Sequence, residues 1–163
     1  MEPNRDQLQV FLDLEQTLVA SWDDRTRMNA SKRFRDLLWE VLALNPNCQI
    51  NLFSFAVWDE HDVSQFMEFK DSIENEFNFK FSKIFHRGNV LDAVKKVRKL
   101  QLLDGDEMSQ LFGKSDSWID FCKHHQFGKA ILFDDMVDNA IIDFVDRTSH
   151  LPFRLQTVNV KFE

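Results

Sequence analysis

Apolar residues fall along the chain in two rhythms. Short runs at 9–14, 49–55, 80–86 and 129–133 are rich in Val, Ile, Leu and Phe between polar flanks, and 155–160 is a weaker fifth. Runs of this length, bounded by turn residues, read as buried strands. Between them the spacing changes. Phe34, Leu37, Leu38, Val41 and Leu42 recur at three- and four-residue steps within 30–44, which puts them on one helical face, and Asn-Pro-Asn at 45–47 ends the segment. Residues 61–77 predict a second amphipathic helix, 89–103 a third, 115–128 a fourth stopped by Gly128, and 138–145 a shorter fifth.

Strands that alternate with helices imply an α/β fold: a three-layer, Rossmann-like parallel sheet with helices on both faces. At 163 residues the chain suits a single domain over 1–163. With only 4 Gly and 3 Pro there is no linker, and no repeat or low-complexity segment divides the chain. Cys48 and Cys122 lie far apart and match no paired metal-ligand spacing, so free thiols in a reducing, cytoplasmic setting are expected. No segment reads as a secretion signal or a membrane span, which predicts a soluble protein with no membrane partner. The formal net charge of -7 disfavours the wrapping of long nucleic acid, although a local basic groove could hold an end.

The chemistry lies where the strands stop. In open parallel sheets, ligands bind beyond the carboxyl ends of the strands. The first predicted strand runs into Asp13, the second into Ser54, and the fourth into Asp134 and Asp135, with Asp138 shortly after. Carboxylates from two strands at one edge repel by roughly several kcal/mol at low dielectric unless a cation lies between them. Oxygen donors without His or Cys favour a hard ion, and Mg2+ suits a site that also holds phosphate. Taken singly, each of these acids is equally a solvated loop residue or a helix cap.

Together they carry a resemblance. "VFLDLEQTLV" resembles the first motif of the haloacid dehalogenase-like (HAD) superfamily, an apolar strand followed by Asp-x-Asp-x-Thr or Val. Ser54 after "INLF" is similar to the second motif, Lys114 in "FGKSDSW" to the third, and "ILFDDMVDN" to the fourth, all in family order. The resemblance implies that Asp13 is a nucleophile that forms an aspartyl-phosphate, and that Ser54 and Lys114 hold the phosphoryl group. It implies Mg2+ between Asp13, the backbone carbonyl of Glu15, and Asp134 or Asp135, with Asp138 in support. Thr17 would buttress the turn after the first strand. Lys80 and Lys83 compete with Lys114, but they fall in or before the third strand.

The chain departs from the family at Glu15, where phosphatase members carry a second Asp as acid and base. Glu keeps the carboxyl group but reaches one methylene further, and misplacement by about an ångström can cost on the order of a hundredfold in rate. Three outcomes stay open: an active enzyme with Glu15 as acid and base, a slow one, or a scaffold kept for binding. Residues 18–29 allow only a flap, and 55–113 are accounted for by helices and a strand, so a member without a cap domain is expected. Its open site would take a macromolecular phosphate end or a phosphoprotein, or else a small molecule closed over by a neighbouring subunit; the acidic charge leans slightly towards the small molecule.

Arg87, beside His86 at the end of the third strand, is a further substrate-binding candidate through phosphate, with a solvated turn as the alternative. Trp22 and Trp58 could stack a ring or simply pack. Lys95, Lys96, Arg98 and Lys99 read as a solvated helix face, and His124 and His125 point about 100° apart on a helix, which keeps them from sharing a metal. The expected function is thus a Mg2+-dependent phosphomonoester hydrolase acting on a phosphorylated substrate. The rival is a catalytically weak HAD-like binding or regulatory protein; a receiver-like domain phosphorylated on aspartate fits the motif order less well.

Overall fold

Val10, Phe11 and Leu12 are fully buried, and the strand they form, β1 (Leu8–Leu12), lies inside a six-stranded sheet. This computed structural model describes residues 5–99, 105–147 and 149–163, with 105–112 described by backbone alone. After β1 come α1 (Lys32–Leu44), β2 (Gln49–Phe53), α2 (Glu60–Met67), α3 (Lys70–Phe77), β3 (Lys83–Phe85), α4 (Arg87–Arg98), α5 (Gly105–His125), β4 (Lys129–Asp134), β5 (Ala140–Val145) and β6 (Pro152–Asn159). The strand order is β3-β2-β1-β4-β6-β5, with every neighbouring pair parallel except β5 with β6. The fold is α/β with a mostly parallel, Rossmann-like sheet.

Alternation along β1 separates two hydrophobic clusters, because successive side chains leave a strand on opposite faces. Val10 and Leu12 pack with Phe34 and Leu38 of α1, Phe66 of α2 and Ile73 of α3. Phe11 packs with Val90 and Val94 of α4 and with Trp118, Phe121 and Cys122 of α5. The Phe11 ring meets Phe53, Trp118 and Phe121 edge-on at 5.8, 5.8 and 6.0 Å. Edge-to-face contacts suit the aromatic quadrupole, and a core built on Phe rather than Tyr leaves no phenol that needs a partner. Both cysteines are free, Cys122 buried and Cys48 half-buried.

Helix ends follow local chemistry. Ser31 accepts from the Phe34 amide at the start of α1, and Asp59 accepts from the Asp62 amide at the start of α2. His86 starts α4 through a reciprocal box: its ring accepts from the Asn89 amide while the Asn89 side chain accepts from the His86 amide.

Several expected elements differ. The pattern predicts a helix over 138–145, but Ala140–Val145 form β5, antiparallel to β6. Exposed Ile141, Asp143 and Val145 alternate there with half-buried Ile142 and Phe144, a period of two that the short segment hid. The helix expected over 61–77 is two, α2 and α3, parted at Glu68 and Phe69. α4 begins two residues before the expected 89 and turns left-handed at Lys99, while residues 100–103 of that expectation lie outside the described residues. The stop after α5 is Gln126, with φ 57°, rather than Gly128. A Cβ on Gly128 would lie 2.5 Å from the Arg5 carbonyl oxygen, so that glycine serves close packing.

Gly113 breaks α5 with φ 66° and ψ 175°, and the helical segment that carries Lys114 starts directly after it. Among the described residues nothing lies within 4 Å of where its Cβ would be, and the backbone conformation itself demands glycine. That region of backbone space is essentially closed to other residues, at a cost of about 1–3 kcal/mol. Gly113→Ala is therefore expected to lower unfolding stability in urea by about that amount, whereas Gly113→D-Ala, whose chirality favours positive φ, keeps it; equal stability of the L-alanine variant would contradict the assignment.

Candidate active site

Parallel pairing fixes the first feature of the site. Leu12 lies opposite Phe133 in the β1–β4 ladder, so the next residues, Asp13 and Asp134, leave the two strands side by side. The ladder bonds run on past them: the Asp13 amide donates to the Phe133 carbonyl at 3.0 Å, and the Val160 amide to the Asp134 carbonyl at 2.9 Å. Strand order also reverses here, β2 and β3 lying on one side of β1 and β4 on the other, which is where open α/β sheets leave a crevice.

Both acids are buried, at 4% exposure for Asp13 and 0% for Asp134. Asp13, Asp134 and Asp135 each offer an oxygen within 4.8 Å of the other two. Among the described residues this is the one set of His, Cys, Asp or Glu side chains close enough to share an ion. Two unit charges at that separation interact by about 3 kcal/mol at an effective dielectric near 20. One cation already stands among them. Lys114 donates to Asp13 Oδ1 at 2.6 Å, and its Nζ lies 2.5 Å from Asp134 Oδ2, an ion pair without well-aligned hydrogen-bond geometry. Thr17 Oγ1 donates to Asp13 Oδ2 at 3.2 Å, and the Met136 amide to Asp134 Oδ1 at 2.8 Å.

One ammonium does not balance three carboxylates. Burial pushes Asp13 up to about 7, against the pull of Lys114 and with further push from Asp134 and Asp135. Asp135 is also raised, first by burial and then by Asp134, against a hydrogen bond with Asp13. Burial works against the Lys114 ammonium, but Asp13 and Asp134 outweigh it and hold the amine above the ordinary lysine value. Such a centre has surplus negative charge and only oxygen donors, which suits a hard divalent cation.

A cavity of about 450 Å³ opens over this centre, and its walls include Asp13, Glu15, Ser54, Lys114 and Asp135. The residues singled out in the sequence thus meet from β1, the end of β2, α5 and the end of β4. Ser54 is buried, its Oγ accepting from the Ala56 amide at 3.2 Å. Glu15 faces the cavity while its Oε2 accepts from the Trp22 amide at 2.8 Å, which ties it to the loop after β1. Asp134 lies beneath, through Lys114.

Five other candidates stand apart from that wall. Asp138 is exposed, and its backbone carbonyl accepts from Thr157 Oγ1 at 2.5 Å. Arg87 is buried with its guanidinium 3.8 Å above the Trp58 ring, and His86 caps α4 with its ring 3.2 Å from Glu60. Trp22 packs edge-on against Phe69 at 5.6 Å, whereas Trp58 is half exposed.

Sequence reasoning passed over three residues that shape the site. Gln16, held at φ 59°, lines the cavity and donates through Nε2 to the Ala20 carbonyl. Asn29 is fully buried and donates to the Thr17 and Lys161 carbonyls, binding the turn after β1 to the end of the chain. Its place two residues before the Ser31 cap was the available signal, since the Ser31 amide donates back to it. Asn159 donates to the Asp135 and Val137 carbonyls, and nothing in its strand pattern marked it.

The raised Asp13 makes a test in chelator. Its ordinary value of 3.8 becomes about 7 on folding, so between those limits the folded chain holds a proton that the unfolded chain has released. The stability this contributes is full below about pH 4 and is lost as pH rises to about 7. Without divalent metal, Asp13→Asn should melt above the native chain near pH 8, with the gap closing toward pH 4. Adding Mg2+, Mn2+ or Ca2+ near pH 8 should raise the native melting temperature and leave Asp13→Asn largely unmoved, because an ion that binds only the folded state stabilises it. A melting temperature indifferent to all three ions would contradict a cation site. No family model, curated protein or solved structure matches the chain.

Proposed function

We propose that the chain is a phosphomonoester hydrolase of the HAD type, built as a three-layer domain without a cap, with Asp13 as its nucleophile. The observation that carries this reading is Lys114: 101 residues from Asp13 in sequence, its ammonium donates to Asp13 in the same cavity as Ser54 and Asp135. An amine and a hydroxyl that flank a carboxylate at a sheet's carboxyl edge suit phosphoryl transfer, where most catalysis is positioning and charge stabilisation.

In this reading a carboxylate oxygen of Asp13 bonds to phosphorus as the bond from phosphorus to the leaving oxygen breaks, and Glu15 supplies that oxygen with a proton. Water then attacks phosphorus, Glu15 takes its proton back, and inorganic phosphate leaves while the Asp13 carboxylate is restored. Lys114 and Ser54 bear on the phosphoryl oxygens, and Thr17 steadies Asp13 from the turn below. Asp13, Asp134 and Asp135 are the residues that would hold Mg2+, with the Glu15 carbonyl and Asp138 as further candidates. When bound, that ion offsets the charge that phosphate brings to an already anionic centre. Against its burial, the charges of Asp13 and Asp134 keep Lys114 protonated for this role. The free thiols suit a cytoplasmic setting.

One observation favours a second reading, a scaffold that binds a phosphorylated partner with little turnover. Glu15 Oε2 is engaged by the Trp22 amide, which makes the longer acid a structural tie for the following loop. Hydrolysis of an aryl phosphate, with Mg2+ and with chelator, separates the two. Metal-dependent turnover that falls to background in Asp13→Asn and by about a hundredfold or more in Glu15→Gln is the expected result. Turnover absent from the native chain but gained by Glu15→Asp would favour the binding scaffold.

A further inference from the structure

Gln16 and Asp135 are among the walls of the cavity over Asp13. Both residues also line a second cavity of about 370 Å³, which runs between the start of α1 and residues 158–162 at the end of the chain. Arg33 reaches its wall from α1 and Lys161 from beyond β6. The neighbouring cations of α1 are paired, Lys32 with Asp36 and Arg35 with Glu76. Among the described residues neither Arg33 nor Lys161 has a carboxylate partner. Half-buried Leu37 and Phe162 add apolar surface to the same wall. The second cavity, a groove beside α1, shares Arg33, Leu37 and Val158 as walls with a third of about 370 Å³.

We propose that this groove receives the leaving group of the substrate, and that Arg33 and Lys161 bind a second phosphate carried on it. The inference rests on the hydrolase reading and names its substrate class: a small bisphosphorylated molecule with an apolar or ring body between its two phosphates. Cations without acid partners, on a chain of net charge -7, mark one place where an anion is drawn in rather than repelled. A volume of this size suits a small-molecule fragment, and the apolar wall suits the body that joins the phosphates. In the reaction, Asp13 takes the phosphoryl group as the ester bond from phosphorus to oxygen breaks and Glu15 protonates the departing alcohol; water then attacks the aspartyl-phosphate and releases inorganic phosphate. The other phosphate stays on the alcohol product in the groove.

The test compares adenosine 3′,5′-bisphosphate with AMP, which lacks only the second phosphate, alongside 4-nitrophenyl phosphate. In the native chain with Mg2+, kcat/KM for the bisphosphate should exceed that for AMP by about tenfold or more. In the Arg33→Ala, Lys161→Ala double variant that ratio should fall to within about twofold of one, while Arg33→Lys keeps part of it. A native ratio near one, a preference that survives the double substitution, or an equal loss on all three substrates would overturn the groove assignment. If the native chain turns over none of the three, the hydrolase reading fails, and calorimetric binding decides the groove separately. Tighter binding of the bisphosphate by the native chain than by the double variant supports the groove; equal affinity overturns it.

Discussion

Asp13 and Asp134 stand side by side because β1 and β4 pair in parallel, and the rest of the site responds to the repulsion that this pairing creates. The cost is borne in a buried place, where water cannot screen it. Lys114 offsets part of it from above, with its amine against both acids. The Thr17 hydroxyl and the Met136 amide take up further lone pairs. What remains is more acid than base in a buried place, and burial first, with the neighbouring carboxylates adding to it, raises Asp13 and Asp135. A centre left in that state is poised for a cation and, with the cation, for an anionic ligand that would otherwise be turned away.

Holding like charges together requires a rigid surround. Phe11 of β1, with rings around it edge to face, anchors one side of the sheet just before Asp13. On the other side Val10 and Leu12 pack under α1, α2 and α3. Gly113 lets the backbone turn at the point from which Lys114 reaches the acids, and Asn29 ties the turn after β1 to the far end of the chain. The catalytic reading therefore depends on residues that would never contact substrate.

Much of this was legible in the sequence, for identifiable reasons. Buried parallel strands read as continuous apolar runs, so β1, β2 and β4 and the polar residues at their ends stood out. Asp13, Ser54, Asp134 and Asp135 followed from the rule that such ends converge. Failures came where local pattern is ambiguous or contact is distant. β5 is six residues long, too short for a period of two to separate from a helical one, and it pairs through β6, which follows it. Arg87 reads as a phosphate candidate by type and position, and its stacking over Trp58 is a contact between segments that the local pattern does not reveal. Asn159 and the groove beside Gln16 arise only when the end of the chain returns beside α1, a long-range contact that no window of sequence contains. The reach of Glu15 to the Trp22 amide likewise depends on the path of the loop between them.

The central claim is that Asp13 attacks phosphorus, and the direct measurement is to trap the bond it forms. The native chain would be mixed with excess aryl phosphate and Mg2+, quenched in acid, reduced with borohydride and digested for mass spectrometry. An acyl phosphate on Asp13 is reduced to homoserine, so the account predicts that change at residue 13, absent without substrate and absent from Asp13→Asn. Steady turnover with residue 13 unmodified, or with the change on Asp134 or Asp135 instead, would contradict it.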